Sequence, residues 1–427
     1  MNTIKNKFRV LPALVIILSF GLTFFSCQKD EEPEVNEENE AFYSAMKDWY
    51  FWTDRIPQIN PSAYPSIFHV LEAIRYTELD RWSFIDDWDE FIAYISNSEF
   101  IGYGFGSRWD DQNNLRVTFV YNTVDMYEKG VRRSWILEAV NGTTLTPSVS
   151  LNNLLGPNQP GVSNTFRFRK PDGSIKEMTV EKKVITMNTV LHYEVMEVED
   201  LKIGYLVFQN FTGTSEGELK EVFQYFSENN IDELILDVRY NGGGLTSIAR
   251  QLSSLIGGQN LAGEPFARYV YNANKSDRNQ VLNFSSEANS LGLNRLVTIA
   301  TRSTASASEM VINGLKPYMD VYVVGTDTYG KPMGADVLRF NEIWALVPIT
   351  INITNADDEG DYFDGLPVDV PAPDGLAYDF GNPQEASLQQ AINFILTGST
   401  KGMPVMEPVY KQPIDEMRGM RRWIGAH

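Results

Sequence analysis

Leu234-Ile235-Leu236-Asp237-Val238-Arg239-Tyr240-Asn241-Gly242-Gly243-Gly244 reads as a buried strand that runs into a triple glycine ahead of a helix over Leu245 to Ile256. Glycines let the backbone turn sharply and present N–H groups as a concave nest, which suits an anion. The same residues also serve a plain β-to-α turn, and their spacing does not match the dinucleotide fingerprint. Strand and helix alternate on both sides. Ile203 to Phe208 reads as a strand, and Glu216 to Asn229 as an amphipathic helix with Leu219, Val222, Phe223 and Phe226 inward. Val297 to Ala300 and Val321 to Val324 are further strands, flanking a helix that starts near Ser306. Such alternation predicts an α/β domain with a mostly parallel sheet and flanking helices, placed at 191–400.

Two regions of different texture precede it. Residues 41–95 are rich in aromatics and contain two helical stretches, Ala41 to Trp52 and Pro65 to Tyr76, which predict a small N-terminal helical domain. Aromatics at helical spacing are core, and no chemistry is assigned to them. Residues 96–190 change to short strands and turns. Gly102-Tyr103-Gly104-Phe105 resembles the carboxylate-binding loop of PDZ domains, and Gly130 to Gly142 resembles the helix-to-strand and turn segment of that fold. Arg133-Ser134 stands where Gly-Asp is usual. The pair of motifs points to a PDZ-like β-rich domain in which Tyr103, Gly104 and Phe105 would hold a peptide C-terminus through backbone N–H groups.

The chain of 427 residues can hold two or three cores, and its 43% hydrophobic and 22% charged residues are ordinary for a soluble globular protein. A formal charge of −20 excludes the basic patch that a nucleic-acid partner requires. No Cys/His cluster has metal-ligand spacing, so no zinc or iron–sulfur site is expected, and acyl transfer by a serine and a lysine needs no metal or organic cofactor. Lys5, Lys7 and Arg9 precede an apolar stretch from Val10 to Phe25, the form of a signal peptide over 1–26. That stretch is short of the ~20 residues of a membrane span. The single cysteine, Cys27, follows directly and resembles the acylated cysteine of bacterial lipoproteins. An acidic run to Glu40 reads as a flexible tether over 27–40. The expectation is a cell-envelope protein, lipid-anchored to the outer membrane. The tail at 401–427 loses periodicity and carries Arg418, Arg421 and Arg422; it is given no role.

Three segments carry chemistry: the glycine turn, Thr304-Ala305-Ser306-Ala307-Ser308-Glu309, and Gly325-Thr326-Asp327-Thr328-Tyr329-Gly330-Lys331. A serine needs a base, and none of the three histidines sits in a recognisable catalytic setting. A Ser–Lys dyad needs no histidine. Ser306 and Glu309 also have capping-box spacing, which places Ser306 at a helix N-terminus where free N–H groups can stabilise an oxyanion. Ser308 competes as nucleophile. The last segment spells most of a nucleotide-binding P-loop, but Pro332 stands where Ser or Thr should hold magnesium and opposes a helix after Lys331.

In this order the segments are similar to the motifs of the C-terminal-processing (tail-specific) serine proteases: Asp-x-Arg-x-Asn-x-Gly-Gly, Ser-Ala-Ser-Glu and Thr-Tyr-Gly-Lys, with 25 positions between Ser306 and Lys331. The resemblance covers roughly 96–396 and implies a crotonase- or Clp-protease-like catalytic domain paired with a PDZ domain. It implies Ser306 as nucleophile and Lys331 as general base. Ala307 with Gly243 or Gly244 would form the oxyanion hole. Ala335 stands where many members carry an orienting Gln, so Glu309 is the candidate orienter and Thr328 the support for Lys331. The implied activity is endopeptidase action on protein or peptide substrates chosen by their C-termini. The alternative is a catalytically silent lipoprotein that binds peptides or hydrophobic ligands on the same fold.

Overall fold

The computed structural model describes residues 35–405, 419 and 426–427. The signal peptide and Cys27 lie outside the described residues. Within them, the α/β alternation folds as a six-stranded sheet whose order is Val190–Val198, Leu201–Phe208, Glu233–Asp237, Arg295–Ala300, Asp320–Gly325 and Val370–Pro371. The first pair is antiparallel and all others are parallel. Such strands are covered on both faces, which explains their continuous apolar runs. Helices Ser215–Asn229, Thr246–Gly257 and Ala307–Leu315 pack on one face through Phe223, Leu252 and Met310 against Leu206, Leu234 and Leu236. Helix Ala386–Thr397 covers the other through Leu388, Ala391 and Phe394 against Tyr205, Ile235 and Val297.

The β-rich region contains a six-stranded antiparallel sheet with the path Phe105–Trp109, Leu115–Val120, Ile136–Val140, Ser163–Arg169 and Ile175–Glu181, plus Thr143–Thr144 beside Ile136–Val140. Its core is built from Phe105, Phe119, Phe166 and Phe168. The helix-to-strand segment appears as Asp125–Glu128, a turn at Gly130 and strand Ile136–Val140.

Two expectations about the N-terminal part change. Residues 37–40, assigned to the tether, form the first turn of helix Glu37–Trp49. Asn36 caps it by accepting from the Asn39 N–H, and Glu37, Glu38 and Glu40 sit at the positive end of the helix dipole. A run of acids can therefore start a helix rather than extend a tether. The second change concerns the domain at 41–95, which shares its core with the α/β part. Phe42, Met46, Tyr50 and Val70 pack with Met333, Leu346 and Ile349, and strand Phe84–Asp87 pairs with Trp344–Val347.

Candidate active site

Strand Arg295–Ala300 ends in a tight turn, and helix Ala307–Leu315 begins at once, with Ser306 as its N-cap. Ser306 has φ 57° and ψ −115°, a conformation that L residues adopt only when their surroundings enforce it. A strained strand-to-helix turn of this kind pushes a nucleophile's side chain out of the fold. Ser306 is half-buried and lines a cavity, whereas Ser308 is 1% exposed and its hydroxyl donates to the Asn241 carbonyl at 3.1 Å. The hydroxyl of Ser308 is thus engaged in structure.

The glycine turn packs against Ser306. Gly243 has φ +104°, and a Cβ there would lie 2.8 Å from Ser306 Cβ and 3.0 Å from the Ala307 nitrogen. Its N–H donates to Asn241 Oδ1 at 2.9 Å. This corrects Gly243 as an oxyanion donor: its amide is engaged, and what it supplies is close approach. Gly244 and Ala307 line the cavity with Ser306. Asn241 holds the turn from several sides, donating to the Phe208 carbonyl and accepting the Ala305 N–H through its own carbonyl.

Glu309 is fully buried at the centre of the site. Its Oε2 accepts from the main-chain N–H of Ser306 and of Lys331, each at 2.8 Å. Its Oε1 accepts from Thr328 Oγ1 at 2.5 Å and from the Gly330 N–H at 2.7 Å. Burial pushes this carboxyl above the usual range, and the four donors offset part of the rise. Because all four partners are donors, the arrangement fits the ionised form. Glu309 thus orients Lys331 through its backbone. Thr328 holds Glu309 and accepts the Leu366 N–H at 2.7 Å, so its support of Lys331 is indirect.

Lys331 is 5% exposed and lines the same cavity as Ser306. Burial lowers its amine to about 8, partly opposed by the charges of Asp80 and then Glu309. The chain leaves Lys331 through Pro332 into strand Met333–Ala335, not a helix, so the P-loop reading fails on geometry as well as on composition. Ala335 lines the cavity.

Asp80 was not foreseen. It is 1% exposed, with Oδ1 accepting from the Trp82 and Ser83 N–H groups and Oδ2 from the Tyr50 hydroxyl. Beside it, Arg81 donates to the carbonyls of Gly330 at 3.1 Å and Phe363 at 3.0 Å. Segment 80–83 therefore clamps the loop that carries the lysine. No local pattern signals this, because the partners lie about 250 positions apart.

The Asp237-x-Arg239 pair has a structural task. Arg239 is buried and spans Asp237 and Glu385, with Nη1 to Glu385 Oε1 at 2.7 Å and Nη2 to Asp237 Oδ2 at 2.6 Å. Arg133, from the β-rich region, enters the same network through Tyr240 at 2.6 Å and Asp374 at 3.1 Å. Tyr103, Gly104 and Phe105 lie away from the cavity, and their main-chain groups hold His427. Among the described residues no group of His, Cys, Asp or Glu could hold a metal ion, and no helix is long and apolar enough to cross a membrane.

The sequence matches Peptidase family S41 over residues 202–370 and the Peptidase S41 N-terminal domain over 37–84. The second match contains Asp80 and Arg81. Relatives include a Staphylococcus saprophyticus protein named Probable CtpA-like serine protease, 21% identical across 78% of this chain and 65% of its own length. Another is the Carboxyl-terminal-processing protease of Picosynechococcus sp., 26% identical across 40% of this chain and 38% of its own length. The chain thus spans less than two thirds of these relatives. A solved S41 protease candidate from Bacteroides fragilis superposes with TM-score 0.69 at 22% identity, covering 84% of this chain and 97% of that one, which shows a shared fold. With both S41 segments matched in order around the Ser306–Glu309–Lys331 arrangement, the chain belongs to peptidase family S41.

Proposed function

We propose that the chain is a serine endopeptidase in which Ser306 is the nucleophile and Lys331 the general base. One observation carries this reading: the two residues line one cavity, with their backbones tied to a single buried carboxylate and the lysine amine lowered to about 8. Neutral Lys331 takes the Ser306 hydroxyl proton as Oγ bonds to the scissile carbonyl carbon. The N–H groups of Ala307 and Gly244 hold the oxyanion. Protonated Lys331 then gives its proton to the leaving amine and the peptide C–N bond breaks. Water, deprotonated by Lys331, attacks the acyl ester, and Ser306 recovers its hydroxyl. Phe91, Met310, Met333, Val347 and Ile353 line the cavity, which suits an apolar substrate side chain.

The test is labelling by a serine-reactive acylating probe, with the modified residue mapped by mass spectrometry. The expected result is label on Ser306, absent in Ser306→Ala and much slowed in Lys331→Ala, with hydrolysis of unfolded protein lost in both. A folded wild-type chain with no label at Ser306 and no hydrolysis would favour the silent binding protein instead.

Two further parts of the proposal concern delivery. The PDZ-like sheet edge at Phe105 would take substrate C-termini by strand addition. Cys27 would be lipidated and hold the chain at the outer membrane. Metabolic labelling with a fatty-acid analogue should mark the wild-type chain and spare Cys27→Ser; equal labelling of both would rule out anchoring at Cys27.

A further inference from the structure

The loop from Thr328 to Lys331 is held by its backbone, and each of its N–H groups is engaged. Thr328 donates to the Leu366 carbonyl at 3.0 Å and Tyr329 to the Thr304 carbonyl at 2.9 Å, while Gly330 and Lys331 donate to Glu309. The carbonyls of Thr328, Tyr329 and Gly330 go to two arginines. Arg302, in the turn before Ser306, donates through Nη1 to the Thr328 carbonyl at 2.9 Å and the Asp364 carbonyl at 2.6 Å. Arg81, from the N-terminal region, reaches three carbonyl oxygens with Nη2 alone: Tyr329 at 3.3 Å, Gly330 at 3.1 Å and Phe363 at 3.0 Å. The two segments meet there as bare backbone, since a Cβ at Gly330 would overlap the Phe363 carbonyl oxygen and one at Gly365 the Thr328 carbonyl oxygen. Carbonyl dipoles that converge on one spot repel one another unless a cation sits among them. The guanidinium lies 5.0 Å from the ring of Trp82 and 5.0 Å from that of Tyr329, which fixes its place. Asp80 sets the turn around it by accepting from the Trp82 and Ser83 N–H groups. Arg81 itself is exposed, so little of the core depends on it.

We propose that Arg81 is a positioning residue of the active site: its guanidinium gathers the carbonyls of Tyr329, Gly330 and Phe363 and so keeps the Lys331 amine in the cavity it shares with Ser306. The proposal rests on the reading of Lys331 as general base. It adds that the placement of this base depends on one exposed cation of the N-terminal region, 249 positions from Gly330 in sequence. Without Arg81 the converging carbonyls part, the loop loosens, and water reaches the amine, which then loses part of the burial that keeps it neutral.

The test compares wild type, Arg81→Ala, Arg81→Lys and Lys331→Ala as full chains, by hydrolysis of unfolded protein between pH 6 and 10 and by urea unfolding. Arg81→Ala should unfold at the urea concentration of the wild type, because the side chain is exposed. It should lower kcat at least about tenfold with KM little changed. Its acid limb should move upward from about 8. Guanidinium chloride, too dilute to unfold the chain, should restore kcat in Arg81→Ala and leave the wild type unchanged, whereas equal sodium chloride restores nothing. Arg81→Lys should fall between wild type and Arg81→Ala, since a point-like ammonium does not reproduce the planar fork. Wild-type kcat and limb in Arg81→Ala, with Lys331→Ala inactive, overturn this proposal alone. A loss of kcat that tracks weaker folding, with an unmoved limb and no rescue, overturns it too and makes Arg81 structural only. Lys331→Ala as active as the wild type overturns the reading on which the proposal rests.

Discussion

Ser306 and Lys331 share one hydrogen-bond acceptor, since Glu309 Oε2 receives the main-chain N–H of each at 2.8 Å. The main chains of the proposed nucleophile and base are therefore held by one carboxylate, which makes Glu309 a positioning residue in the proposed mechanism. Replacing it by Gln turns one amide N–H toward groups that are already donors. Glu309→Gln should lower stability by about 1–3 kcal/mol. It should also cut kcat more than it raises KM. Because the Glu309 charge raises the Lys331 amine, its loss should also move the acid limb of the pH profile downward, an effect that a purely structural role would not produce. Chemical unfolding and kcat against pH check both.

As the proposed general base, Lys331 must be neutral to accept a proton, and burial places its amine at about 8. Hydrolysis should therefore rise with pH through about 8 and level off above it. Asp80 is the larger of the two charges that oppose this lowering, so Asp80→Asn should shift the limb to lower pH. Steady-state kcat/KM between pH 6 and 10 reads the limb directly. A flat profile, or a shift upward in Asp80→Asn, would contradict the assignment of Lys331 as base.

The same burial has a stability consequence of opposite sense to most ion pairs. Unfolded Lys331 titrates near 10.5 and folded Lys331 at about 8. Between these values the unfolded chain binds the extra proton, so stability rises with pH across the window. Below about 8 the cost is complete. Lys331→Met, which fills similar space without charge, should stabilise the fold at pH 7 by up to about 3 kcal/mol. The gain should shrink as pH approaches 10.5, and urea unfolding at pH 7 and pH 10 measures it.

Much of this was readable in the sequence because it is local. The run from Leu234 to Gly244, the inward positions of helix Ser215–Asn229 and the cap at Ser306 depend on periodicity and neighbours within a few positions. The task of Glu309 was half legible: the capping spacing predicted its bond to Ser306, but not its second bond to Lys331, 22 positions on. Asp80 and Arg81 were illegible because their partners are brought in only by tertiary packing. Arg133, read as a departure from a turn motif, is a buried cation that needs Asp374 and Tyr240, more than 100 positions away. The tail at 401–427 carried no periodicity, and the residues that receive His427, from Tyr103 to Ser107, lie more than 300 positions away in sequence.

Gly243 offers a test that separates geometry from donor chemistry. A methyl group at its φ of +104° is strained and would press on Ser306 Cβ at 2.8 Å and the Ala305 carbonyl oxygen at 2.9 Å. Gly243→Ala should therefore displace the nucleophile, lowering kcat at least about tenfold, since small misplacements cost that much or more. Labelling of Ser306 by the acylating probe should slow in parallel. Full activity in this variant would mean that the turn and Ser306 are not in contact.

Arg133 joins the β-rich region to the catalytic sheet through the buried cluster of Asp374, Arg239 and Glu385. Burial alone would raise the Asp374 carboxyl, but Arg133, Arg239 and Arg108 outweigh it and hold it at about 2. A carboxyl lowered in the fold contributes stability above its unfolded value of 3.8, and that contribution is lost as pH falls to about 2. Arg133→Met removes one of the three cations, leaves Asp374 and Tyr240 without a main partner, and should cost about 3–5 kcal/mol at neutral pH. It should also raise the Asp374 carboxyl, so that acid unfolding begins at higher pH than in the wild type. Because Arg133 touches neither Ser306 nor Lys331 in this network, a variant that still folds at pH 7 should keep its pH–rate limb near 8; a moved limb would show that the junction between the two regions tunes the lysine itself.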